Sequence, residues 1–426
     1  MRQLLFCLVF FVMFAPLEAF PQQDAVDLYN QGVDALKQGH VEEAIDLFTR
    51  SLQLDPRDHF AYNNRGIAYK RQGLFDRAIE DYNRALEIKP DYNDALENRG
   101  TARYKKGDLD GALSDLTAAL KKGRKDSILH TTLGLVRKDK GELDQAIKDL
   151  RQGISLNKKN VRAYQGLGEI YEQKKDYDKA LESYIKVVEL AGGRGNLPEI
   201  QQRITNLRRV YAEELHRQGL QDYREGKEKQ AIQLWTQALK FDPDFLPALR
   251  DRGLIYHESG KHQKAVEDFD AVLEKDPSNE ELYRVRADAK YKMKEADRAL
   301  ADYDKALELN PKDAVVYNNR GLVHHERSEL DKALADYSLA ITLDPTNPTF
   351  YENRALVLAT QGLAAKAAED YQAALKLTKD ETHRAALLEK ISGITNNNSG
   401  TATGPSGGLP EPPGAASAGA DNPVGR

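Results

Sequence analysis

The chain has 426 residues, with 62 Lys plus Arg against 67 Asp plus Glu and a formal net charge of −5. No excess of positive charge exists to neutralise phosphates, which excludes a nucleic-acid binder working through bulk electrostatics. One cysteine, Cys7, lies in the first dozen residues, so disulfide scaffolds, thiolate–zinc sites and a cysteine nucleophile in the body are excluded too.

The N-terminus reads as a targeting segment. Met1-Arg2 is a short positive start, and Leu4 to Phe14 is an unbroken apolar run of 11 residues, well short of the ~20 that a spanning helix needs. Ala15-Pro16-Leu17-Glu18-Ala19 ends on a small residue. This is the layout of a cleaved secretory signal over residues 1–19, with a mature chain that begins near Phe20. The chain is expected to be exported, periplasmic or secreted, with no membrane span after cleavage.

A strict period then takes over. Small residues stand at Gly32, Gly66, Gly100, Gly134 and Gly168, spaced by 34, and again at Gly219, Gly253, Ala287, Gly321 and Ala355. Twelve residues after each comes alanine (Ala44, Ala78 and Ala112 in the first three units), and four later a large residue such as Phe48, Tyr82, Trp235 or Tyr303. Proline closes six of the ten units, at Pro56, Pro90, Pro243, Pro277, Pro311 and Pro345. Within a unit, Tyr62, Gly66 and Tyr69 share one helical face, as do Ala78, Tyr82 and Ala85, and Gly73 marks the turn between them. Helices of about 13 residues are marginal alone, so each unit must bury its face against its neighbours in an all-α stack without a central core.

This grammar resembles the tetratricopeptide repeat family over about ten 34-residue copies. The resemblance implies a right-handed α-solenoid of helix-turn-helix units that binds a protein or an extended peptide in its groove. Five repeats are expected over 25–194 and five over 212–380. Between them, over 195–211, an inserted segment carries Asn196-Leu197-Pro198-Glu199, a helix-start signal. Ile200, Ile204, Leu207, Tyr211 and Leu215 follow at helical spacing. One long helix is expected from about Pro198 to Arg224, either a rigid continuation or a hinge. Residues 381–394 read as a capping helix that covers the exposed end with Leu387, Leu388 and Ile391. Residues 395–426, rich in Asn, Ser, Gly, Ala and Pro, read as a disordered tail; the sequon Asn397-Asn398-Ser399 falls at its start.

No catalytic signature accompanies the repeats. His324-His325 are adjacent on a helix and point ~100° apart, so they do not share one metal easily. Glycine-rich phosphate loops, nucleophile elbows and kinase signatures are absent from the sequence. Repeat arrays of this kind precede the catalytic domain of O-linked N-acetylglucosamine transferase, but here repeats, insert, cap and tail account for the chain. The expectation is a non-enzymatic scaffold with no cofactor and no metal; the alternative is an accessory protein that binds a non-protein ligand such as a polysaccharide.

Two comparisons between units locate the polar residues. Arg65, Arg99, Arg252, Arg286, Arg320 and Arg354 precede the small residue in six units, and sixteen residues later stand Asp81, Asp115, Asp268, Asp302, Asp336 and Asp370. The co-occurrence predicts an arginine–aspartate pair between the two helices of one unit, worth ~0.2–1 kcal/mol each if exposed. Two residues before the small residue stand Asn30, Asn64, Asn98, Asn319 and Asn353. Two helical steps turn these side chains ~160–200° from the buried glycine face, toward the groove, where a carboxamide matches a peptide backbone. In the transferase's repeats the matching asparagines form such a ladder, and the resemblance implies the same use here; otherwise asparagine is simply tolerated on a solvated face. The family's other scheme, a clamp on a terminal carboxylate, needs basic residues that Tyr29 and Asp94 do not supply.

Overall fold

The computed structural model describes residues 19–123, 126–192 and 197–397. The proposed signal segment up to residue 18, the tail from residue 398 and most of the sequon lie outside the described residues. Among these residues are twenty-one helices and no strand. Paired as units, they are α1 (Ala19–Gln38) with α2 (Val41–Leu54), α3 (His59–Arg71) with α4 (Phe75–Ile88), α5 (Asn93–Lys106) with α6 (Leu109–Lys121), α7 (Ser127–Asp139) with α8 (Leu143–Leu156), and α9 (Val161–Gln173) with α10 (Tyr177–Ala191). The insert and the sixth unit's first helix are one helix, α11 (Pro198–Arg224), followed by α12 (Glu228–Phe241). Then come α13 (Leu246–Glu258) with α14 (His262–Lys275), α15 (Glu280–Lys292) with α16 (Ala296–Leu309), α17 (Ala314–Glu326) with α18 (Leu330–Leu343), α19 (Pro348–Thr360) with α20 (Ala364–Leu377), and the terminal α21 (Glu381–Asn397). Each pair is an all-α hairpin, and within each of two compact units the pairs stack as a solenoid.

The chain forms two compact units that divide within α11, between Leu207 and Arg208. Ile200, Ile204 and Leu207 are buried before the division, and Ala212 and Leu215 join the apolar cluster around Trp235 and Phe269 after it.

Local sequence explains the hairpins. Asp58 caps α3 by accepting from the N–H groups of Phe60 and Ala61, and Asp313 caps α17 in the same way. The turn inside each unit requires one residue with φ near +60 to +90°, which glycine supplies in seven units, for example Gly73 at +77°. Lys175, Lys294 and Ser328 take that conformation in the other three. The small-residue slot has a different cause. A methyl at Gly66 would lie 2.7 Å from Cε1 of Tyr82, because the ring of the second helix seats directly on the backbone of the first. Phe48, Tyr82, Tyr184, Trp235 and Tyr337 are all fully buried against such slots.

At the C-terminal end, α21 packs on α20, and Leu387 is fully buried beside Ala355 and Tyr371. Leu388 differs from expectation. It is 53% exposed, because it points one step off the buried stripe that Leu387 and the partly buried Ile391 define.

Candidate functional site

The first helices α1, α3, α5, α7 and α9 touch in succession, as do α15, α17 and α19, so within each compact unit they lay down a continuous face. Side chains on this face bond across units at a fixed step of 35 residues. Asn64 Nδ2 donates to Tyr29 Oη at 2.9 Å, Asn98 Nδ2 to Asn63 Oδ1 at 3.1 Å, and Asn353 Nδ2 to Asn318 Oδ1 at 2.8 Å. At the equivalent place farther along, His216 Nε2 meets Asp251 Oδ2 at 2.8 Å. Two helical turns on, Tyr104 donates to Asp139, and Tyr291 to Glu326. Burial and the acceptor carboxylate raise the Tyr291 hydroxyl well above its usual range.

The five expected groove asparagines therefore divide. Asn30 is exposed, and Asn64 and Asn98 are half-buried. Asn319 and Asn353 are each 1% exposed, which corrects the expectation that they look into an open groove. Asn319 Nδ2 donates to Asp288 Oδ1 at 3.1 Å, and its Oδ1 accepts from Asn318 Nδ2 at 3.1 Å. The physical reason is the neighbouring unit: the direction opposite the glycine face is occupied by the adjacent first helix. At the last unit α21 holds the residue next to Asn353, with His383 Nε2 2.8 Å from the buried Glu352 carboxylate.

The six arginine–aspartate pairs form inside their units, each two-pronged with donor–acceptor distances of 2.6–2.9 Å. The aspartates are buried, so the surface-pair magnitude understates them. Burial pushes the Asp81 and Asp268 carboxyls upward, opposed by the bonds from Arg65 and Arg252. In the fourth unit Leu133 replaces the arginine, and Arg137, one turn later, reaches Asp149 instead. Asp302 receives a second cation, Lys290 Nζ at 2.7 Å.

Each of these arginines also has a third bond, which reasoning within one unit missed. Arg65 donates backward to Thr49, Arg99 to Asn83, Arg252 to Thr236, Arg286 to Asp270, Arg320 to Asp304 and Arg354 to Ser338. Every acceptor lies sixteen residues before its arginine, on the second helix of the preceding unit. The signal was present, since all six are short polar residues at one repeat position. One guanidinium thus ties three helices and closes the joint between two units.

His324 Nδ1 lies 2.8 Å from Glu329 Oε2, and among the described residues no cluster of three or more histidine or acidic side chains is arranged to hold a metal. His257 is the most displaced imidazole, held down at about 4 by burial and by the nearby His262, Arg284 and Lys292.

Models described as tetratricopeptide repeat match residues 25–58, 59–92, 161–193, 216–280 and 284–348, and one described as TPR repeat matches 134–175. No curated protein matches the chain. Similar solved structures include TTC0263, a thermophilic TPR protein of Thermus thermophilus, 26% identical over 42% of this chain and 96% of that one, with a TM-score of 0.35. A MamA fragment from Desulfovibrio magneticus RS-1 is 24% identical over 39% of this chain and 94% of that one, with a TM-score of 0.37. YrrB, described as a TPR protein with an unusual peptide-binding site, is 21% identical over 47% of this chain and 95% of that one, with a TM-score of 0.32.

Proposed function

The chain belongs to the tetratricopeptide repeat family, and from that premise we propose that it is a non-enzymatic scaffold holding an extended peptide segment of a partner protein along the first-helix face of α1, α3 and α5. The observation that carries this reading is the partial use of two carboxamides. Asn64 and Asn98 are half-buried, and each gives one N–H to the preceding unit. A carboxamide has two N–H donors, so each keeps a second for a peptide carbonyl, and the exposed Asn30 lies on the same row. Neutral hydrogen bonds contribute only ~0.5–1.5 kcal/mol net each, so backbone recognition supplies register while side-chain contacts supply selectivity.

We also propose that the encounter takes place outside the cytoplasm, on the strength of the Met1–Ala19 layout. N-terminal sequencing of protein from its native host should begin near Phe20; an intact Met1 on cytosolic protein would contradict export. For the binding reading, peptides selected from a random library on the full chain should bind at least tenfold more weakly when Asn30, Asn64 and Asn98 are all replaced by Ala, with helical content retained. Undiminished binding by that variant would place the partner elsewhere.

A further inference from the structure

At the joints closed by arginine, three positions spaced by sixteen residues form a bridge: a short polar or acidic acceptor, the arginine, and the aspartate. At the joint between the fourth and fifth units the same three positions are Arg151, Leu167 and Ser183. The cation has moved from the first helix to the preceding second helix, and the carboxylate position holds a hydroxyl. Leucine and serine fill less of the joint than arginine and aspartate do. A cleft with about 360 Å³ of open space lies there, lined by Arg151 and Ile154 of α8, Tyr164, Leu167 and Tyr171 of α9, and Lys179, Glu182, Ser183 and Lys186 of α10.

Three cations, Arg151, Lys179 and Lys186, line this cleft with one carboxylate, Glu182. Arg151 donates to Tyr171 Oη at 2.8 Å, and among the described residues it has no carboxylate partner. Glu182 lines the cleft but forms no ion pair with it. Lys179 sits 5.5 Å from the centre of the Tyr171 ring. Lys179 pairs with Asp176, the residue that caps α10, and Lys186 with the exposed Glu189, each three residues away in sequence, and pairs this open to water hold weakly. A second cleft, of about 330 Å³, lies in the sixth unit, where Gln218 and Leu234 also replace the pair. Its one cation, Lys227, is 2.6 Å from Glu225 and 3.8 Å from Asp222. Loss of the pair opens a cleft in both places, but only the first leaves a guanidinium without an anion.

We propose that the cleft between α8, α9 and α10 binds a carboxylate carried beside an apolar group, with Arg151 as its principal partner. The guanidinium fork matches a carboxylate in two-pronged geometry, as the six arginine–aspartate pairs of this same chain do internally. Lys179 and Lys186 add positive charge at the rim, and the Ser183 hydroxyl, which donates to the Lys179 carbonyl at 2.7 Å, keeps lone pairs but no free proton. Leu167, Ile154 and Tyr164 give the apolar surface. The volume is at the small end for ligand sites and suits one side chain with its neighbour or one small organic acid. The cleft lies on the second-helix side of the stack, so it is independent of the peptide face proposed above.

The test uses the full chain and two probes that separate the sources of such a carboxylate. These are a capped leucine–glutamate–leucine tripeptide and 4-phenylbutyrate, with the glutamine tripeptide as neutral control, titrated by ligand-observed NMR. Saturable binding of either acid supports the site, and which acid binds tells whether a peptide or a free acid is its occupant. Arg151→Gln should weaken that binding at least tenfold, and Lys186→Gln, on an exposed helix face, provides a second variant with a smaller loss. The triple change Arg151→Thr, Leu167→Arg, Ser183→Asp rebuilds the bridge found at the other joints; it should abolish binding and leave the melting temperature equal or higher. Failure of both acids to saturate, equal binding of the glutamine tripeptide, or binding unchanged by Arg151→Gln and Lys186→Gln would overturn the proposal.

Discussion

The two five-repeat arms carry asparagine at the same repeat position and use it differently. In the first arm Asn30, Asn64 and Asn98 reach solvent wholly or in part; in the second Asn319 and Asn353 are sealed inside the stack. What surrounds them decides this. Asn319 lies among Asp288, Asn318 and the fully buried ring of Tyr303, whose hydroxyl donates to Asp288 at 2.5 Å, and Asn353 adjoins a carboxylate that α21 covers. A residue at one repeat position thus bonds to the neighbouring unit in both arms but keeps access to solvent in the first alone. Repeat position alone does not assign function.

The largest effect that would sharpen this contrast concerns the charge bridges. Replacing Asp302 by Ala strands the buried Lys290 and leaves Arg286 only its bond to Asp270, and breaking a buried pair on one side costs about 3–5 kcal/mol. Ser183→Ala, at the matching position of the first arm, loses one hydrogen bond to the Lys179 carbonyl and should cost about 1 kcal/mol or less. Urea unfolding of the two variants measures the difference.

Acid should separate the arms next. His257 in the second arm titrates at about 4 when folded and near 6.5 when unfolded. The unfolded chain therefore takes up the proton first as pH falls. Stability from this group is complete above pH 6.5 and drains between 6.5 and 4, by at most about 3 kcal/mol. Hydrogen exchange in α13, α14 and α15 should accelerate from pH 7 to pH 5 beyond its intrinsic pH dependence, and His257→Gln should flatten that response. Equal responses in the wild type and the variant would detach the imidazole from the arm's stability.

A smaller difference is expected at the asparagines themselves. Asn353→Ala leaves the buried Asn318 carbonyl without its donor and should cost about 1–3 kcal/mol, with selected-peptide binding unchanged. Asn64→Ala, whose partner Tyr29 reaches water, should cost about 1 kcal/mol or less and weaken binding. Least of all should come from the exposed joint pair Lys174–Asp144, 3.2 Å apart: thermal melting of Asp144→Ala should differ by no more than about 0.5 kcal/mol.

Much of this architecture is legible in the letters. The 34-residue period, the small residue under each ring and the arginine–aspartate pairs follow from comparing units, because each depends on contacts repeated within a unit. The orientation of the asparagines does not follow. A helical wheel of one unit has no neighbour, so it sends Asn319 toward solvent where the preceding first helix, α15, stands. The backward bonds from Arg65 to Thr49 and from Arg320 to Asp304 cross the same unit boundary, and a search at minus sixteen residues as well as plus sixteen would have found them. The Arg151 cleft needed both: the exchange of three residue types is written in the sequence, while the space it leaves is a matter of packing.

Peptide recognition is proposed for the first arm alone. Hydrogen exchange of the full chain with and without a library-selected peptide, read by mass spectrometry, tests it directly. Protection concentrated in α1, α3 and α5, lost with the Asn30, Asn64 and Asn98 triple alanine variant and absent from α15, α17 and α19, is the predicted result. Protection confined to α15, α17 and α19, or unchanged in the triple variant, would contradict it.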